Sequence, residues 1–183
     1  MNLVRKAITM MTRKNGKKPE IMKTQKENVL IEELRTIAGI VSGSQAEFYN
    51  QMLKDAKPIK VAKLAEVYST QEIAQIKALV DPQPKLCYKN ATLFALYFPG
   101  VEYVEGKMTC FGKFGIEHAW NKVGDKYIDI TMELALERDP SEEEYLALGE
   151  YDAATVSKIC LDREYYGEVY QEMLRKKFFN KVF

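Results

Sequence analysis

Apolar positions along this chain recur first at the spacing of helices and then at the spacing of strands. Between Val29 and Val41, the residues Leu30, Leu34, Ile37 and Val41 stand three or four positions apart, which predicts an amphipathic helix ended by Gly39 or Gly43. A second helix is expected over 45–54. A third is expected over 69–80, where Ile73, Ile76 and Val80 mark one face, Ser69 or Thr70 can cap the start, and Glu72 lies in the first turn. Asp81-Pro82-Gln83-Pro84 cannot prolong that helix, because each proline lacks a donor N–H and biases its predecessor toward extended geometry. Helical spacing returns over 86–98, with Cys87, Ala91, Phe94 and Phe98 on one stripe and Pro99-Gly100 closing it.

The pattern then changes to strands over 101–104, 107–111, 116–123 and 126–131, separated by glycines. Helices followed by an antiparallel sheet give an α+β fold. Asp139-Pro140 with three following acids reads as a helix start, 155–161 as a further strand, and 163–179 as a closing helix that is acidic early and basic late. On that last helix, Tyr165, Val169, Met173 and the Phe178-Phe179 pair read as packing residues.

Charge changes this picture at one end only. The net charge is +1, but the first 26 residues carry Arg5, Lys6, Arg13, Lys14, Lys17, Lys18, Lys23 and Lys26 against the single acid Glu20, so the remainder is acidic. With Asn15, Gly16 and Pro19 breaking any helix, 1–26 reads as a basic N-terminal arm before one domain over 27–183. Such an arm can meet nucleic acid or an acidic partner, yet it lacks interleaved aromatics, and a solvated tail is the favoured reading. No stretch is apolar for long enough to serve as a signal sequence or a membrane span, so no membrane partner is expected. Cys87, Cys110 and Cys160 are odd in number and fit neither a disulfide framework nor a CxxC motif, which points to a reducing cytoplasm. With one histidine in the chain, a Cys/His zinc site is disfavoured, and no cofactor is expected.

The residues with chemical potential are few and their spacing relates them. Cys87 falls in the first turn of its helix, where unpaired N–H groups favour a thiolate and can also bind an oxyanion. In IEHAWNKVGDKYIDIT, Gly124-Asp125 reads as a tight hairpin turn. If Val123 pairs with Lys126, then His118, Trp120, Asp129 and Thr131 share one face, with His118 and Asp129 as diagonal cross-strand neighbours. Asp129 can then orient the imidazole while its other nitrogen takes the proton of Cys87.

A helix-starting cysteine, a histidine on one strand and an aspartate on the next, in that chain order, resembles the transglutaminase-like branch of the papain-like cysteine protease superfamily. CYKNA, YVEG, EHAWN and YIDIT are similar to the cysteine, histidine and aspartate blocks of bacterial and phage proteins of that type, over about residues 84–131. The resemblance implies a papain-like core, Cys87 as nucleophile, His118 as general base and acid, Asp129 as orienting carboxylate, and a protein or peptide amide as substrate. It also implies a polar donor upstream of the cysteine for the oxyanion hole, with Gln83 the nearest candidate and Asn90 or a backbone group as alternatives. Trp120 either packs beneath the histidine or contacts substrate. The rival reading is a non-catalytic module that binds protein or nucleic acid, in which Cys87 is an inert core residue and His118–Asp129 a structural hydrogen bond. Cys110 and Cys160, both in runs that read as strands, are expected in the core.

Overall fold

Asn28 opens the described chain by accepting the N–H groups of Leu30 and Ile31 on its side chain, and helix α1 (Val29–Ile40) follows with Leu30 and Leu34 buried. The computed structural model describes residues 28–179, with side chains to residue 177, so the basic arm over 1–26 and the packing role expected of the Phe178 and Phe179 side chains lie outside what is described. Helix α2 (Ser44–Asp55) leads into a short strand β1 (Lys57–Ile59) and a single 3-10 turn at Leu64–Glu66. In α3 (Thr70–Val80) Ser69 and Glu72 close a reciprocal capping box, and Asp81 ends the helix in the left-handed region at φ 47°. Helix α4 is Cys87–Tyr97.

The sheet is antiparallel in every pairing and runs β1-β5-β2-β3-β4. β2 (Val101–Cys110) and β3 (Phe114–Val123) pair along their whole length, so the two strands expected over 101–104 and 107–111 are one. Gly106 lets the neighbouring strand that carries Leu146 lie close against β2: a Cβ there would collide with the Leu146 carbonyl oxygen and approach Trp120 Cη2 to 2.9 Å. β4 (Lys126–Ile128) pairs with β3 in the anticipated register, Val123 opposite Lys126, and Gly124 at φ 60° takes the first central position of the two-residue turn. Pairing stops at Ile128, however, and a π-helical turn occupies Thr131–Ala135, so neither Asp129 nor Thr131 is a strand residue.

Period-two alternation sorts the sheet into two faces. Tyr103 and Ala119 pack with Phe94 and Ala95 of α4 and with Ile76 of α3, while Val104, Met108, Trp120, Tyr145 and Met132 form a second cluster. β5 (Tyr145–Tyr151) contributes Tyr145 and Ala147 to that cluster, whereas its Leu146 and Leu148 join Leu30, Leu34 and Met52 of the first two helices.

The C-terminal part departs most from expectation. Asp139 and Pro140 start only one 3-10 turn, Pro140–Glu142, before the chain enters β5. The segment expected as a strand is helix α5 (Ala153–Arg163), because the Asp152 side chain caps the Thr155 N–H at 2.7 Å and the buried Val156 and Ile159 stand three apart. The closing helix α6 begins at Val169 rather than near 163, since Glu164, Gly167 and Glu168 all have positive φ. Val169 is buried as expected, but Tyr165 and Met173 are exposed. Cys160 therefore lies on a helix and Cys110 at the end of β2, and both are half-buried rather than core. Among the described residues no helix is long and apolar enough to cross a membrane.

Candidate active site

Two prolines and a left-handed Lys85 (φ 67°) bring the chain to Cys87, the first residue of α4. Leu86 supplies no side-chain cap, so the first-turn N–H groups of α4 have no acceptor from that residue. Asn90, one turn further on, fixes this approach. Its Oδ1 accepts the Gln83 N–H at 3.1 Å, and its Nδ2 donates to the Gln83 carbonyl at 2.8 Å and to Thr131 Oγ1 at 3.1 Å. Asn90 is buried with its amide fully engaged, so it is not open to an oxyanion; it braces the loop ahead of the cysteine and ties α4 to the turn after β4. The Gln83 side chain is exposed and donates to the Asp81 carbonyl at 3.2 Å.

That turn is built by Asp129. Its Oδ1 accepts the N–H groups of Thr131 and Met132, each at 3.0 Å, which pulls the backbone out of the ladder and ends β4. The same bonds aim Oδ2 at His118, whose Nε2 lies 2.7 Å away. Tyr145 Oη donates to Oδ2 at 3.0 Å, so the fully buried carboxylate has four partners. The diagonal contact expected from a longer hairpin is thus made by a turn instead of by strand pairing.

His118 is held from below by Trp120, with ring centroids 6.1 Å apart and planes inclined by 24°. Trp120 is itself fully buried and also packs edge-on against Tyr145, which places it under the histidine and away from the surface. Burial opposes a charge on His118, but the Asp129 carboxylate, through its charge and its hydrogen bond, outweighs this and raises the imidazole pKa to about 10. Cys87 adds to the same shift by its contact with the ring. Since Asp129 occupies Nε2, the nitrogen left for the thiol is Nδ1.

The structure therefore brings Cys87, His118 and Asp129 together, with Trp120 packed beneath. Sequence reasoning missed Tyr145, because its strand follows directly on an apparent helix start. Among the described residues no cluster of three or more His, Cys, Asp or Glu side chains is arranged to hold a metal ion. Comparison with protein families, with curated proteins and with solved structures finds no match to this chain.

Proposed function

We propose that this protein is a cysteine-dependent acyl-transfer or amide-cleaving enzyme built on a transglutaminase-like, papain-related core. The observation that carries the reading is the orientation of His118: Nε2 is held at 2.7 Å by a carboxylate with three further hydrogen bonds, leaving Nδ1 for a half-buried thiol at a helix start.

In the first step the Cys87 sulfur attacks an amide carbonyl carbon and the carbonyl π electrons move to oxygen. First-turn N–H groups of α4 are suited to hold that oxyanion. Collapse expels the amine, which takes its proton from the His118 imidazolium, and a thioester remains on Cys87. In the second step water or a primary amine gives its proton to His118 while attacking the thioester carbonyl, and Cys87 leaves as thiolate. Water makes the enzyme a peptidase, amidase or deamidase; an amine makes it a transglutaminase.

The test is the pH dependence of iodoacetamide alkylation, with the modified cysteine located by mass spectrometry in the parent and in His118→Ala. The expected result is Cys87-selective alkylation that persists well below pH 8.5, about the free-thiol pKa, and that the substitution abolishes. Alkylation of Cys87 no faster than of Cys110 and Cys160, or indifferent to His118, removes the nucleophile and leaves a binding module.

A further inference from the structure

A groove of about 470 Å³ lies between α4 and α5, a size within the range of small-molecule sites, roughly 300–1,000 Å³. It is separate from the chemistry above. At about 100° per residue along a helix, its α4 residues Thr92 and Leu96 point roughly 140° and 180° around from Cys87. Its walls are apolar and aromatic: Leu96, Leu161 and Tyr166 are 42%, 75% and 42% exposed, more than a solvent-facing surface needs. Tyr165 forms one wall and is braced in place, with its hydroxyl donating to Glu168 Oε2 at 2.6 Å and the Arg163 guanidinium 4.5 Å over its ring.

Into this apolar setting the fold brings hydrogen-bonding groups that have no protein partner. Thr92 is 1% exposed, and its Oγ1 is buried without any hydrogen bond. Leaving a buried hydroxyl unpaired is costly, and a valine of the same shape avoids that cost. Among the described residues the half-buried Ser157 hydroxyl and the solvent-exposed Glu164 carboxylate on the same groove also have no side-chain partner. Glu164 stands in the left-handed region at φ 58°, at the end of α5, where it lines the mouth. An aromatic body between two tyrosines and two leucines, a neutral donor or acceptor at its base and an unpaired anion at its rim define the complement of the missing occupant.

We propose that the groove between α4 and α5 is a binding site for a small aromatic amine, its ring against Leu96 and Tyr166 and its ammonium at Glu164. The site is independent of the Cys87 reading, since its occupant binds without reacting.

The test is a titration of the full chain, followed by backbone amide NMR, with phenethylamine and with phenylacetate, an anion of similar size. Phenethylamine is expected to give saturable shifts centred on Thr92, Leu96, Ser157 and Cys160, and to bind at least about threefold more tightly than phenylacetate. Glu164→Gln removes that preference. Thr92→Val raises the melting temperature of the free protein by about 2–4 °C; it weakens tyramine, whose phenol can pair with the hydroxyl, and leaves phenethylamine, which brings only a ring to that end, unchanged. No saturable shift up to about 10 mM, shifts centred elsewhere, or equal affinity for the two probes in the parent overturns the proposal.

Discussion

At the scale of single residues, His118 and Asp129 carry opposite costs that only their pairing resolves. An isolated imidazolium in the cluster of Trp120 and Tyr145 is expensive to bury, and the carboxylate more than offsets this. The native state therefore holds the His118 proton more tightly than the unfolded chain does. The resulting stabilisation is complete below pH 6.5, the ordinary imidazole value, and is lost as pH rises toward about 10. Urea denaturation across that interval is expected to show falling stability in the parent and a flatter profile in His118→Gln. A parent profile without the fall is evidence that the imidazole is buried neutral.

At the scale of elements, the turn after β4 separates two jobs of Asp129 that a strand residue does not have. Asn at this position keeps an oxygen for the Thr131 and Met132 N–H groups but offers His118 an N–H, which forces the wrong tautomer. Asp129→Asn is expected to melt within a few degrees of the parent and to lose Cys87 alkylation by on the order of 10³-fold or more. Asp129→Ala should lose the turn as well, measurable as a lower melting temperature. At α5, Asp152→Ala removes the cap on Thr155 and should lower the melting temperature by about 2–4 °C.

These same elements explain what was legible in the sequence. The first four helices were readable from their apolar spacing, with which the capping residues Ser69 and Glu72 agree at α3. The His118–Asp129 relation was readable because Gly124 fixes the hairpin register, although the contact itself is made by a turn the pattern did not disclose. α5 was misread because Thr155, Val156 and Ile159 are β-branched; here tertiary burial and the Asp152 cap outweigh propensity. β5 escaped notice because YLALGEY is a short apolar run that periodicity alone does not assign, and with it went Tyr145. The bracing role that Asn90 has in place of the expected oxyanion contact was not readable at all, since both of its amide ends meet partners set by the tertiary path of the chain.

At the scale of the whole molecule, Glu105 links the sheet to the C-terminal helix. This buried carboxylate of β2 accepts the Tyr103 hydroxyl at 2.7 Å and the N–H of Val169, the first residue of α6, at 3.0 Å. Burial is the main cause that raises its pKa, from 4.5 to about 7, against those hydrogen bonds and with the charge of Glu117 adding to the rise. The sign follows from linkage: the folded state keeps this proton to higher pH than the unfolded chain, so stability falls as pH climbs from 4.5 through about 7. Glu105→Gln should flatten that fall and raise the melting temperature at pH 8; a lower value there would mean that the anion's bonds to α6 outweigh its burial.

The place of β5 in the sheet has a consequence for a chain emerging from a ribosome. β2, β3 and β4 are neighbours in sequence and can pair as soon as they are made, but β1 waits for a partner that is translated more than eighty residues later. Until β5 slots between β1 and β2, the nascent sheet keeps an open edge and Asp129 lacks the Tyr145 hydroxyl. On the reading proposed above, the carboxylate that orients His118 therefore gains the last of its four partners only when the last third of the chain has docked.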